Sequence, residues 1–244
     1  MRGSGRKWLN GFADSLGFPK DYLLLDLETS GFDFNQDLVI QWSLGVVRDG
    51  RLDDVTTQSL DWTRVPSVSL DWLSDKLSKI CQKLQLDPDD ESHPFSIRHL
   101  QSRGTDPFDS LKQLREFLFY SECRVLVGHN HLAFDLPMLE GNLERYLPTG
   151  LPCCPAGMDF LDTGALAVGV QLNHPIPKAK TLESACSAIL VRKRQTFWKL
   201  HSDCVDLFEL DGVEELVKAG HTADADIRLV HRIVEKAREL GEAP

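Results

Sequence analysis

The chain has no run of about eighteen or more apolar residues, so no transmembrane helix is expected and no membrane partner is inferred. Its first eighteen residues, MRGSGRKWLNGFADSLGF, are basic but lack a continuous apolar stretch, and are not read as a signal peptide. The six cysteines (Cys81, Cys123, Cys153, Cys154, Cys186 and Cys204) show no CxxC spacing, so they read as reduced thiols of a cytoplasmic protein. Positive charge is also scarce: 27 Lys and Arg face 37 Asp and Glu, a net charge of −10. That balance excludes a general nucleic-acid coating protein. It leaves room for an enzyme that gathers carboxylates around a cationic metal. There is no internal repeat and no linker long enough to separate domains. With 42% apolar residues, the 244-residue chain reads as one large domain over 21–244 behind an N-terminal extension, 1–20.

The hydrophobic pattern supplies the elements. Tyr22–Leu27 is nearly continuous in apolar residues, as in a central strand buried on both faces. Gly31 to Gln36 is a turn, Leu38–Val47 a second strand, Asp49-Gly50 a hairpin signal and Leu52–Trp62 a third strand. Helices are expected over 69–84, with Leu70, Leu73, Leu77, Ile80 and Cys81 on one face, and over 109–120 and 134–146. Asp87 to Glu91 is a solvated acidic loop. Arg124–Val127 and Met158–Leu161 make the fourth and fifth strands, around a Pro- and Gly-rich loop over 147–157. Further helices are placed near 163–170, 181–190 and 222–240, the last with Ala223, Ile227, Val230, Val234 and Ala237 as its apolar stripe. Strands first and alternation afterwards imply an α/β fold with a mixed sheet.

Four carboxylates stand out. Asp26 and Glu28 are two residues apart at the end of the first strand, so both point to one face. Like charges on a buried strand repel unless something positive is nearby, which points to a divalent metal. Asp135 opens a helix after the fourth strand, a place where a capping carboxylate is common. Asp226 lies beside the stripe of the last helix, whereas Asp224 has Arg228 four residues on and reads as a surface pair. His221, just before that helix, can share a cavity with Asp226. Asp159 and Asp162 read as structural strand-end acids.

Together, Asp26-Leu27-Glu28-Thr29, then His129-Asn130 with Phe134-Asp135, then His221-x-Ala223-x-x-Asp226 resemble the three motifs of the DEDDh exonucleases. These belong to the DnaQ-like family, which includes the polymerase proofreading subunit and RNase T. The resemblance covers about 20–240 and implies an RNase H-like five-stranded mixed sheet, second strand antiparallel, flanked by helices. It implies removal of nucleotides from a 3′ end of DNA or RNA with two magnesium or manganese ions. Asp26 would bridge both ions, Glu28 and Asp226 would hold the one that activates water, Asp135 would serve the second, and His221 would be the general base. Leu27 and Thr29 would contact the terminal nucleotide, and His129, Asn130 and Phe134 would also bind substrate. Residues 66–107 and 191–220 are longer and more irregular than a minimal member needs.

Two hard cations sharing four acids suit hydrolysis of an anionic phosphodiester: one lowers the pKa of water, the other stabilises the leaving oxygen. Between Lys178 and Lys199 six cations, including Arg192, Lys193 and Arg194, face one acid, Glu183, and adjoin Phe197 and Trp198. A basic strip beside aromatics suits single-stranded nucleic acid. Any replication role would call for a polymerase or other protein partner in trans. Two other readings compete: a catalytically silent exonuclease-fold module that binds nucleic acid or a polymerase, and an endonuclease on the same fold.

Overall fold

A computed structural model of the chain describes residues 19–242 except 149, 151, 165 and 168–198. The N-terminal extension up to residue 18, the helix expected over 181–190 and the strip Arg192, Lys193, Arg194 lie outside the described residues. Helical backbone is present at 163, 164, 166 and 167, at the start of the helix expected near 163–170.

Five strands form one sheet: β1 (Tyr22–Thr29), β2 (Val39–Arg48), β3 (Arg51–Ser59), β4 (Val125–Gly128) and β5 (Asp159–Asp162). The order is β3-β2-β1-β4-β5, with β2 antiparallel to both neighbours and β1, β4 and β5 parallel. This is the mixed sheet the motifs implied. Asp49 and Gly50 turn the β2–β3 hairpin with φ of 49° and 75°, the left-handed pair that such a two-residue turn requires.

The helices are α1 (Leu70–Leu84), α2 (Ile97–Arg103), α3 (Pro107–Tyr120), α4 (Asp135–Tyr146), α5 (Glu214–Lys218) and α6 (Ala223–Glu242). A π-turn over Leu200–Cys204 runs into helical residues Val205–Leu207. Asp106 caps α3, accepting from Phe108 N at 2.9 Å and Asp109 N at 3.1 Å, with Pro107 at the first helical position.

Strand alternation assigns β1 to two cores. Leu23, Leu25 and Leu27 pack with Leu73 and Leu77 of α1, Leu111 and Leu114 of α3, and Leu136 and Leu139 of α4. Tyr22 and Leu24 pack on the opposite face with Ile227, Val230, Val234 and Ala237 of α6. Each such buried side chain contributes about 1.5–3 kcal/mol of transfer free energy, so both layers hold the strand. The row that faces α6 continues as Asp26 and Glu28. Period-2 geometry alone therefore carries two carboxylates to the first turn of α6.

Two expectations need correction. The third strand stops at Ser59; Trp62 lies in a 3₁₀ turn, Trp62–Arg64, capped by Asp61. Its indole Nε1 donates to Val39 O at 2.6 Å, so the buried ring docks on the start of β2 instead of extending β3. Leu70 is 48% exposed, because it is the first residue after the cap Ser69 and precedes the buried face. The longer, irregular 66–107 segment also contains α2 beyond the expected helix, and its His99 Nδ1 donates to Glu91 O at 2.8 Å while Nε2 pairs with Ser59 Oγ at 2.9 Å.

Candidate metal centre

Asp26 and Glu28 reach the sheet end from β1, and Asp226 meets them from the first turn of α6. One carboxylate oxygen of each lies within 4.8 Å of the others. Asp226 is 9% exposed, at a helix N-terminus where aligned peptide dipoles favour an anion. The start of α6 is tied to the sheet by Gln41, which pairs with Glu28 across β1 and β2. Its Oε1 accepts from Ala223 N at 3.2 Å, while its Nε2 donates to Ser59 Oγ at 3.0 Å.

Asp135 comes from the opposite layer, at the first position of α4, and is 4% exposed. Its Oδ1 accepts the Leu27 backbone N–H at 2.9 Å. The carboxylate thus clamps α4 to β1 between the two strand acids; it does not serve as a simple cap of its own helix. Two left-handed residues frame the site: Asn130 with φ 56° and His221 with φ 67°. For residues other than glycine that conformation costs of order 1–3 kcal/mol and persists where the surroundings enforce it. At Asn130 the enforcing contact is Asp162, whose Oδ1 accepts from Asn130 N at 2.9 Å and Gly164 N at 2.8 Å. Asp162 is therefore structural, as its place at a strand end indicated.

Burial drives the pKa values of Asp26 and Glu28 well above the ordinary carboxylate range, with Asp226 and Asp135 adding to the effect. Asp135 is pushed up to about 7, chiefly by burial, although its bond from Leu27 N works in the other direction. Two unit charges 4.8 Å apart repel by about 3 kcal/mol at an effective dielectric of about 20. No Lys or Arg pairs with Asp26, Glu28, Asp135 or Asp226 among the described residues. An all-oxygen donor set crowded in this way fits a hard divalent cation such as magnesium or manganese.

A pocket of about 430 Å³ opens beside the cluster. Leu27, Glu28, Thr29, Phe134 and His221 line it, with Phe32 and the α1 lysines Lys76, Lys79 and Lys83. Phe32 is 75% exposed; its ring meets Phe134 at 5.5 Å and Lys83 Nζ at 5.6 Å. His129 and Asn130 are not part of this lining. His129 Nδ1 instead pairs with Thr163 Oγ1 at 3.0 Å. A wider groove of about 1050 Å³, between β2 and α3 near Arg48 and Tyr120, contains none of the four acids.

Sequence reasoning missed His201. Its Nε2 is 2.6 Å from Asp226 Oδ1, and its ring meets His221 edge-on at 5.1 Å. A histidine in an irregular segment 25 residues from its partner carries no periodic signal. Phe32 and the α1 lysines were also missed, although Phe32 lies three residues past the end of the first motif and Lys76, Lys79 and Lys83 recur at helical spacing.

No protein-family model matches the chain, and no curated protein matches it in sequence. The fold class is nonetheless defined: an RNase H-like α/β fold, a five-stranded mixed sheet flanked by helices. It is shared with solved structures of exonuclease I. The zinc-bound E. coli exonuclease I–ssDNA complex matches 87% of this chain at a TM-score of 0.53 and 13% identity. A moderately thermophilic exonuclease I from Methylocaldum szegediense matches 89% at 0.56 and 15%, and a product-bound exonuclease I matches 90% at 0.56 and 12%. The chain spans only 39%, 40% and 43% of the length of those three.

Proposed function

We propose that the chain is a metal-dependent 3′→5′ exonuclease of the DEDDh type, releasing nucleoside 5′-monophosphates. The observation that carries this reading is the convergence of Asp26, Glu28 and Asp226 within 4.8 Å, with Asp135 locked beside them on the Leu27 N–H. Asp26, Glu28 and Asp226 would hold one magnesium or manganese ion, and Asp135, with Asp26, a second. Bound there, such ions lower the pKa of water and stabilise charge on phosphorus and the leaving oxygen.

The protein's own groups supply the remainder. His221 accepts the proton of the attacking water from the mouth of the cleft. Its imidazole is held below the ordinary histidine range, by desolvation first and by His201 next, against the pull of Asp226. The 430 Å³ pocket is of small-ligand size, about 300–1,000 Å³ in general, and so accommodates one terminal nucleotide. Leu27 and Thr29 form its floor and Phe134 its wall, with Phe32 as a stacking surface for a base. Lys76, Lys79 and Lys83 offer cations for the backbone phosphates behind that nucleotide. Arg192, Lys193 and Arg194 would extend the path.

A single-stranded 3′ end is the substrate this shape favours, DNA or RNA. Exonuclease I has been solved with ssDNA and as an ExoI/SSB-Ct complex, which supports nucleic acid and a protein partner here as well. No helix among the described residues is long and apolar enough to cross a membrane, and the free cysteines among them fit the cytoplasm.

The test is a time course with 5′-labelled linear strands and a closed circle of the same sequence. The expected result is a ladder shortening one nucleotide at a time, an intact circle, and no product from Asp26→Ala. Cleavage of the circle would establish an endonuclease instead, and metal-independent inertness on every strand a silent binding module.

A further inference from the structure

The position of His201 is set by several independent constraints. Its neighbours Leu200 and Cys204 are buried in the layer that packs α6, together with Phe208, Ile227 and Val230, so the π-turn cannot drift from the helix. Such π-type turns recur at functional sites. Room for the imidazole depends on Gly220: a Cβ there would come within 2.7 Å of His201 Cε1 and 2.8 Å of Nδ1. One edge of the ring addresses Asp226 Oδ1 at 2.6 Å. Because a carboxylate only accepts, Nε2 is the donor. The ring also packs edge-on against His221, centroids 5.1 Å apart and planes at 80°.

We propose that His201 is the positioning residue of the metal centre. Its Nε2–H fixes the plane of the Asp226 carboxylate, and its ring braces His221 in a backbone conformation that histidine seldom adopts. The inference rests on the metal reading of the acid cluster. A carboxylate otherwise turns freely about its last bond. Once one oxygen is engaged, that turn is frozen and the group is presented to Asp26 and Glu28 in a single orientation. Groups that hold metal ligands in this way are typically worth about 10–100-fold in metal affinity. The segment just before α5 and α6 thereby becomes part of the site, although none of the three motifs includes it.

The experiment is calorimetric titration of Mn²⁺ into the full chain without nucleic acid, for the parent, His201→Leu, His201→Gln, Gly220→Ala and Asp26→Asn. His201→Leu is expected to weaken Mn²⁺ binding by about 10–100-fold. His201→Gln, whose amide nitrogen can replace Nε2 as donor, should recover most of the loss. Gly220→Ala keeps the imidazole but crowds it out, and should behave like His201→Leu if the latter does not fold. Turnover of His201→Leu should be rescued by raising Mn²⁺, with the KM for the oligonucleotide unchanged. Parental affinity in His201→Leu, or no recovery in His201→Gln, overturns the positioning role while leaving the metal reading intact. Absence of Mn²⁺ binding by the parent, or binding unaffected by Asp26→Asn, overturns the metal reading itself.

Discussion

At the scale of single residues, the site crowds like charges together: Asp135 and Asp226 are buried and Asp26 and Glu28 half-buried beside them. His221 is exposed at the mouth of the cleft with φ 67°. With its pKa lowered from the ordinary 6.5, the imidazole stays neutral, and able to accept a proton, further into acid than a free histidine would. His221→Ala is expected to reduce the maximal rate by about 10²–10⁴-fold. It should also abolish the acid limb of the rate–pH profile, which in the parent lies below 6.5. A variant that keeps the parental limb would assign the proton to another group. The four acids and His221 were legible in the sequence because each is anchored to a periodic element: two to a strand, one to a helix start, two to the start of α6. Gln41 and His201 were not. Gln41 is one polar residue inside an apolar strand, and its meaning depends on pairing across to Glu28. His201 acquires its role only once the chain has folded back on Asp226.

At the scale of elements, period and turn chemistry read well and short segments read poorly. The β2–β3 hairpin was fixed by Asp49-Gly50, and the stripe of α6 by Ala223, Ile227, Val230, Val234 and Ala237, all buried. The seven residues of α2 span two turns, too few for a 3.6-residue repeat to stand out. The end of β3 was invisible because Leu60 and Trp62 are as apolar as a strand continuation would be. What ends the strand is distant: Asp61 N bonds to Thr105 O at 2.9 Å. Helix α1 joins the candidate site through one face, Lys76, Lys79 and Lys83. Lys76 is held by the buried Asp37 at 2.9 Å, whereas Lys79 pairs only with the exposed Asp75 at 2.6 Å and Lys83 lies over the Phe32 ring, so Lys79 and Lys83 are the informative pair to change. Lys79→Ser with Lys83→Ser should weaken binding of an oligonucleotide and reduce the slope of log affinity against log salt by roughly 0.7 per lost contact. Turnover at saturation should be nearly unchanged. Equal slopes in parent and variant would mean that the strand leaves the pocket by another route.

At the scale of the whole molecule, the acids sit where two hydrophobic layers meet at the end of one strand. Folding therefore forces them together, and stability must depend on pH and metal. Folded-state pKa values of Asp26 and Glu28 lie well above the ordinary value, and that of Asp135 is about 7 against 3.8. Between those limits the folded state binds more protons than the unfolded one, so stability falls as pH rises through that window. In a chelator the thermal midpoint should be higher at pH 5 than at pH 8, and Asp26→Asn should flatten the trend. Divalent metal should act oppositely, stabilising most at pH 8. At a hundredfold excess over its dissociation constant it contributes about 2.7 kcal/mol. For a chain of this size that is a shift of roughly 5–10 °C. A midpoint indifferent to both pH and Mn²⁺ would contradict a buried acid cluster.

The triplet Leu23-Leu24-Leu25 has a consequence for how this site could be lost. Both faces of β1 are apolar there, so greasiness alone does not tell the strand which way is up. Sliding by one leucine would exchange one buried leucine for another, yet it would rotate Asp26 and Glu28 away from α6. What forbids the slip comes just after the acids: a bulge between Glu28 and Thr29, then the knot in which Ser30 Oγ donates to Asp37 Oδ1 at 3.0 Å and accepts from Leu38 N at 2.9 Å. Gly31 is small because the Asp37 carboxylate occupies the space of a side chain there. The aim of the clustered carboxylates is thus stored outside them, in a small polar clasp. An insertion or deletion of one residue upstream would leave the hydrophobic inventory of the protein untouched while disarming it.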